Sequence, residues 1–525
     1  MRKSYVSLMR TSCIQNGISE EYKMAGFANV VKRESNFTET ENGAIALKST
    51  DSALLDLFSI AGATRELSPV EIENYFYSAY LEDPLLTLKL AFYTRNIRGG
   101  LGERRAFRIM LRKLANINPE AVIKNIHLVP KFGRWDDLYV LVGTKVEKEM
   151  FSFMKETFLK DLQAMEEQKE VSLLGKWLKS INASSKESKQ LGKLTAKSFG
   201  MSEKDYRKAL SKLRDYIDVT EKRMSENKWN EIPYPNVPSI AMNRYRLAFI
   251  KHDEERFEEY LSKVEKGEEK INSSTLFPYD ILLAGNIRAL SSNRFIIDND
   301  RVLEQQWKNL PNYIEGKHNI LVMADTSYSM TADGGRPIAT AIGLAIYFAE
   351  RNSGPYKDLF LTFSSVPHYV NISGNSLSEK VSKIPSCIEN TNIEKAFELI
   401  LETAKANNIS KEEMPESLII ISDMQFDEAD YQAYQNKISG AKETFMKTME
   451  KKFASYGYNI PKIVYWQVDA RRPALQAHKN DKNVFLVSGN SPSTFRDVLN
   501  LSVGTPYDAM VKILNSSLYE EVTLE

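Results

Sequence analysis

Three polar residues at alternate positions follow an apolar run in "NILVMADTSYSM": Asp325, Ser327 and Ser329 come directly after Ile320, Leu321, Val322 and Met323. Two more oxygen-bearing side chains stand at comparable places downstream, Thr391 in "ENTNIEKAF" and Asp423 after "SLIIIS". Carboxylates and hydroxyls with no converging His or Cys form a hard-oxygen donor set, suited to magnesium or manganese. Magnesium keeps several waters and rarely receives a full protein cage. A site with few direct protein oxygens therefore leaves a coordination position for a partner's anionic oxygen. Without an ion, the same residues read as helix caps and turn formers. That accounts for Ser329 or Thr391 singly, but not for all five at strand ends.

Such a site needs strands to carry it. "NILVMAD", "DLFLTFSS", "SLIIISD", "KIVYWQVD" and "NVFLVSG" are short apolar runs rich in β-formers. Between them, "RPIATAIGLAIYFAERN", "NIEKAFELILETAKA" and "AKETFMKTMEKKFASYG" have helical length and spacing. Strands alternating with helices predict a mainly parallel sheet covered on both faces, with ligands at the carboxyl ends of its strands.

The preceding half has a different character. "SALLDLFSIAG", "PVEIENYFYSAYL", "DPLLTLKLAFYTRNI" and "ERRAFRIMLRKLA" succeed one another as amphipathic helices with short breaks. Ser68 before Pro69, with Glu71 following, and Asp83 before Pro84 are helix starts. "VEKEMFSFMKETFLKDLQAM" and "SEKDYRKALSKLRDYI", the latter capped by Ser202, are further helices, and "ESNFTETENGA" reads as loop. Helix density predicts antiparallel pairs stacked as an α-solenoid, although no clean sequence repeat is present. The fold class is therefore multidomain, with an all-α domain over residues 1–312 followed by an α/β domain over 316–525.

Bulk properties agree with that division. A chain of 525 residues exceeds one ordinary core. No apolar stretch is long enough to span a bilayer, and the basic start lacks a continuous apolar segment, so neither a membrane helix nor a secretory signal is expected. Cys13 and Cys387 are far apart and without zinc-type spacing, which fits a reducing, intracellular and cytoplasmic setting. The net charge is only +1, yet residues 85–230 hold 30 Lys and Arg against 18 Asp and Glu. A basic middle in a neutral chain predicts either a polyanion-facing surface or a set of solvated helix faces.

The stretch "DTSYS", followed by Thr391 and Asp423, resembles the metal-ion-dependent adhesion site of von Willebrand factor A domains. That family has Asp-x-Ser-x-Ser, then a Thr on a later loop, then an Asp after a later strand. By this resemblance Ser327, Ser329 and Thr391 reach the cation, while Asp325 and Asp423 act directly or through waters. The helical half is similar to the region preceding that domain in proteins related to the Ro ribonucleoprotein autoantigen, where HEAT-like helical repeats of the TROVE type form a ring and bind RNA. The nearer resemblance is to a Ro-like family of plants, fungi and phages. It is carried by "RNIRGGLGERRAF", "PKFGRWDDLYVL", "SEKDYRKALSKLRDYIDVTEKRMSENKW" and "VPSIAMNRYRLAFIKHD". The chain departs from the autoantigen proper through much of the helical half, so RNA contacts do not transfer position by position.

Candidate RNA contacts come instead from the residues themselves. Arg95, Arg98, Arg104 and Arg105 flank "GGLG", which offers backbone N–H groups to a phosphate or, more plainly, an interhelical turn. Lys131 and Arg134 stand beside Trp135 as a nucleotide clamp; alternatively Trp135 is core and Arg134 pairs with Asp136 or Asp137. The lysine-rich "KWLKSINASSKESKQLGKLTAK", with Lys186, Lys189, Lys193 and Lys197, reads as a flexible polybasic loop along a single-strand groove, or as a solvated helix face. His127, His252, His318, His368 and His478 are scattered and form no catalytic motif.

Together with the resemblance, these residues predict a non-catalytic RNA-binding protein with a magnesium or manganese site. The resemblance implies small noncoding or misfolded RNA as partner, bound by a monomer with no membrane involved. The alternative is a protein–protein adaptor whose metal captures a partner's carboxylate.

Overall fold

The structure, a computed structural model, describes residues 35–363, 366–386, 392–427, 445–500 and 504–524. Helices dominate up to about residue 310. The longer ones are α1 (Ala53–Ile60), α2 (Pro69–Glu82), α3 (Pro84–Arg95), α4 (Arg104–Ile117), α5 (Glu147–Glu166), α6 (Lys186–Ser198), α7 (Glu203–Ile217) and α8 (Ser239–Glu265), followed by the short α9 (Pro278–Ala284). The expected starts are the observed ones. Ser68 and Glu71 form a reciprocal capping box on α2, Asp83 accepts from the Leu86 N–H at the start of α3, and Ser202 accepts from the Asp205 N–H at the start of α7. Each cap satisfies an orphan N–H and fixes where the chain turns.

Two short antiparallel pairs precede the main sheet: Phe37–Glu39 (β1) with Ile45–Leu47 (β2), and Arg288–Ala289 (β3) with Phe295–Ile296 (β4). The α/β unit holds a six-stranded sheet in the order β10-β9-β8-β5-β6-β7, all parallel except the β6/β7 pair. Its strands are β5 (Ile320–Asp325), β6 (Leu359–Phe363), β7 (His368–Asn371), β8 (Ser417–Ser422), β9 (Lys462–Gln467) and β10 (Val484–Ser488). The central strand β5 is buried at every position, as a strand covered on both faces must be. The longer helices of the unit are α10 (Ala332–Arg351), α11 (Ile393–Ala406), α12 (Phe445–Ser455) and α13 (Pro506–Leu514). Among the described residues, no helix is long and apolar enough to cross a membrane.

Two expectations need correction. "ESNFTETENGA" is not all loop: Phe37–Glu39 (β1) pairs antiparallel with Ile45–Leu47 (β2), closed by Gly43 at φ 91°. Burial of Ile45, Ala46 and Leu47 fixes this hairpin, and their apolar run lies just beyond the polar stretch that suggested a loop. The lysine-rich segment is not a flexible loop over residues 186–198 either. It is α6, capped by Ser185 and anchored by buried Thr195, Ala196 and Phe199.

The two halves share a core. One continuous cluster of buried apolar residues runs from Ala44 through Val522, and a smaller one around Tyr234, Phe249 and Phe257 lies within the helical region. Strand β2 exchanges two backbone hydrogen bonds with the α/β unit, Leu47 N to Leu475 O at 2.8 Å and Leu475 N to Leu47 O at 3.1 Å. Helix α1 lies against β10, and directly after it Gly62 meets Gly489, where a Cβ would stand 2.5 Å from the Gly489 Cα. Toward the other end of the chain, Tyr519 packs edge-on to Tyr93 and stacks with Phe132 of the helical half. The linker near residue 312 thus divides the chain by secondary structure, while packing crosses it in both directions.

Candidate metal site and basic surface

The sheet places Asp325 and Asp423 side by side. From β5 the chain passes to β6 on one flank and only later to β8 on the other, so the crevice between β5 and β8 is where the strand order reverses. Such switch points hold ligands in open α/β sheets, because the flanking loops diverge there. Asp325 ends β5 and Asp423 follows β8, in register with Ala324 opposite Ile421. Asp325 is fully buried, with Asp423 and Ser327 almost equally so.

Hydrogen bonds hold this geometry. Asp325 Oδ1 accepts the Ser327 N–H at 2.9 Å, and Asp325 Oδ2 accepts the Ser422 hydroxyl at 2.5 Å. The Ser327 and Ser329 hydroxyl oxygens lie 3.1 Å apart. Asp423 Oδ1 accepts the Gln425 N–H at 3.2 Å, and its Oδ2 accepts Arg471 Nη2 at 2.9 Å. Burial, then the neighbouring Asp423 charge, pushes the Asp325 carboxyl well above the usual carboxylate range; burial pushes Asp423 up as well. A fully buried carboxylate held only by neutral donors is costly when ionised, and a bound cation removes that cost. Among the described residues, no three His, Cys, Asp or Glu side chains cluster to hold a metal by themselves. A divalent ion seated here would have to draw on the serine hydroxyls as well, and two carboxylates with two hydroxyls suit a hard, partly hydrated ion. Thr391 lies outside the described residues.

Sequence reasoning missed two members of this neighbourhood. Arg471 reaches Asp423, donates to the Ser329 carbonyl at 3.1 Å, and sets its Nε 2.9 Å from Asp469 Oδ2. Asp469 is buried, which raises its pKa to about 6 even against Arg471. Both follow β9 in "KIVYWQVDARR", and the strand-end pattern that selected Asp423 would have selected Asp469 too. Arg336, the cation nearest in sequence, pairs instead with Asp333.

The predicted RNA contacts separate into two groups. Arg95 is buried, its Nε 2.7 Å from Asp137 Oδ2, while Arg105 donates to the carbonyls of Thr64 and Leu67. Arg134 grips Asp136 through two nitrogens and lies 3.8 Å over the Trp177 ring; Trp135 itself stacks on Phe153. Arg95 is thus enclosed with an internal partner, which corrects its assignment to RNA. Arg134 is engaged by Asp136 and Trp177, and Arg105 stays exposed beside the carbonyls it binds. The glycine turn is also internally satisfied. Leu101 N–H bonds to Tyr93 O, Gly102 N–H to Asn96 O, and a Cβ on Gly100 would sit 2.1 Å from Tyr93 O. The Arg98 and Gly99 N–H groups are held by Asn96 Oδ1, so the turn's donors mainly serve the helix junction. Lys131 forms an exposed pair with Glu521.

The second group is exposed: Arg98, Arg104, Lys186, Lys189, Lys193 and Lys197, with Arg105 exposed as well. The spacing of the four lysines on α6 puts them on one stripe of the helix, because steps of three and four return to the same face. Lys193 makes a 3.0 Å surface pair with Glu203 at the start of α7.

Residues 40–198 and 171–319 match a family model described as a domain of unknown function, DUF2828, and together these matches take in more than half of the chain. The chain belongs to the DUF2828 family. Residues 319–512 of this DUF2828 protein match a second model, also described as a domain of unknown function, DUF7788. The two models meet one residue before β5, where helices give way to the sheet. A relative in Acanthamoeba polyphaga mimivirus, named only as an uncharacterized protein, is 27% identical over 527 aligned residues, covering 91% of this chain and 87% of that protein. Both halves of the DUF2828 chain therefore travel together in the viral relative.

Proposed function

We propose that the chain is a non-catalytic RNA-binding protein of the Ro type, in which a von Willebrand A-like α/β domain holds magnesium or manganese and a HEAT-like helical domain carries the RNA. The observation that carries this reading is the buried Asp325–Asp423 pair with the Ser327 and Ser329 hydroxyls at the switch point of the sheet. Asp325, Asp423, Ser327 and Ser329 would hold the ion, which supplies an open coordination position for an anionic oxygen. Full burial keeps Asp325 away from a large substrate, which suits a cation seat better than a general base.

RNA falls to the helical half because nucleic-acid affinity comes mainly from many phosphate contacts. The α6 stripe offers four exposed ammonium groups, with Arg98 and Arg104 as further exposed cations. The test is filter binding of the full-length protein to one structured RNA and one RNA with a single-stranded tail, over a salt series. Steeply salt-dependent binding that persists in chelator supports the division. Binding that vanishes when the metal is removed makes the ion the RNA anchor and contradicts it.

A second reading, the protein adaptor, is favoured by one observation. Tyr328, inside the metal motif, is 74% exposed, a large aromatic at the rim that suits a protein surface presenting a carboxylate. Under that reading RNA binding is absent and metal-dependent capture of an acidic protein takes its place.

A further inference from the structure

We infer that Arg471 is a built-in counter-ion that competes with the divalent cation for Asp423, and so sets the metal affinity of the site. This rests on the metal-site reading above and adds a residue to it that neither motif nor spacing supplies.

The guanidinium is held from three sides. Nη2 donates to Asp423 Oδ2 at 2.9 Å and to the Ser329 carbonyl at 3.1 Å, and Nε lies 2.9 Å from Asp469 Oδ2. Two of these partners, Asp423 and Ser329, belong to the proposed metal site itself. A divalent ion drawing on Asp423 therefore meets a unit positive charge already bonded to one of its ligand oxygens. The charges also balance in a telling way. Asp325, Asp423 and Asp469, when ionised, exceed Arg471 by two negative charges, which one divalent ion neutralises. With the ion bound, Arg471 need not be lost from the site, because Asp469 offers it a second carboxylate. Glu66 of the helical half adds its field at Asp469.

The surrounding backbone restricts what can move. Ala470 N–H bonds to Ala63 O at 3.0 Å, and Gln425 Nε2 bonds to Arg472 O at 2.9 Å. Gln425 is itself tied to the N-terminal hairpin, accepting the Glu41 N–H at 2.9 Å and, through its carbonyl, Asn42 Nδ2 at 2.8 Å. The loops bearing Asp423 and Arg471 are thus clamped by the helical half. Exchange between cations is release of Arg471 Nη2 from Asp423 while Nε keeps Asp469, with the backbone fixed.

The experiment uses full-length protein and Mn2+ alone, with free ion read by electron paramagnetic resonance at fixed pH. Arg471→Gln removes the competing charge while keeping an amide donor; Arg471→Lys keeps the charge and loses the fork. Arg471→Gln should bind Mn2+ at least about tenfold more tightly than the parent, the scale set by one unit charge close to a divalent ion in partly solvated protein. Arg471→Lys should remain near the parent. Equal or weaker binding by Arg471→Gln overturns the counter-ion role and leaves the metal site standing; no Mn2+ uptake by either protein removes both. A second readout needs no variant: phenylglyoxal labelling of the parent, read by peptide mass spectrometry, should modify Arg471 faster when Mn2+ saturates the site. An unchanged or slower rate contradicts release from Asp423.

Discussion

Replacing Lys186, Lys189, Lys193 and Lys197 with Gln strips the exposed stripe of α6 without touching its buried Thr195, Ala196 or Ser185 cap. From first to last, the four positions extend about 16 Å along the helix at its ordinary rise, a length that tracks several phosphates of one strand. The Lys193–Glu203 pair is exposed, with side-chain accessibilities of 47% and 52%, so it hardly lowers the availability of Lys193. Each contact to single-stranded nucleic acid contributes about 0.7 to the slope of log K against log salt, so four removed contacts lower it by about 2.8. Between 50 and 200 mM salt the parent should therefore lose about 50-fold more affinity than the variant. The assay is filter binding of an RNA with a single-stranded tail to full-length protein at four or more salt concentrations. Helicity unchanged by circular dichroism confirms that α6 persists. An unchanged slope refutes the assignment of α6 as the phosphate-binding face.

Three further outcomes test the packing and electrostatics. Asp137→Ala leaves Arg95 and Arg108 without the carboxylate that both now hold, at 2.7 and 2.6 Å, and should lower stability by about 3–5 kcal/mol in urea denaturation; a negligible change would mean that these arginines are not structural. Gly62→Ala forces a methyl group against the Gly489 backbone and should cost about 1–3 kcal/mol, shifting helical and α/β unfolding signals together; a shift in only one would deny the shared core. Burial raises the Asp497 carboxyl to about 6, against Arg496 beside it, so its contribution to stability is fully present below about pH 3.8 and is lost as pH rises through about 6. Asp497→Asn should thus gain about 3 kcal/mol on the parent above pH 6 and nothing near pH 3.5; a pH-independent difference would contradict this.

Much of the fold was legible because local signals and tertiary demands coincided. Ser68, Asp83 and Ser202 cap the helices they announced, since a side-chain oxygen before a helical run has one obvious use. The five apolar runs became β5, β6, β8, β9 and β10 because strands buried on both faces must be apolar throughout. The edge strand β7 escaped notice: "HYVN" is short, and only Val370 among its residues is buried. The β1–β2 hairpin escaped for a related reason, as its stability lies in β2 meeting Leu475, more than 400 residues away in sequence.

The site was half legible. Asp325, Ser327, Ser329 and Asp423 were marked by their positions at strand ends, and the sheet brings Asp325 and Asp423 together. Arg471 was invisible because nothing in sequence ties a basic pair after β9 to a carboxylate after β8; only the parallel register of the two strands does. Arg95, before "GGLG", misled in the opposite sense. Exposed phosphate contacts and buried counter-ions use the same residue type, and only partners such as Asp137 for Arg95 separate them.

The most direct test is Mn2+ titration of the full-length protein, with free ion read by electron paramagnetic resonance, comparing the parent with Asp325→Ala combined with Ser327→Ala. The parent should take up one tightly held ion per chain that the double variant lacks, while both keep the same helical circular dichroism. Equal uptake by the two proteins would contradict a divalent cation site at the ends of β5 and β8.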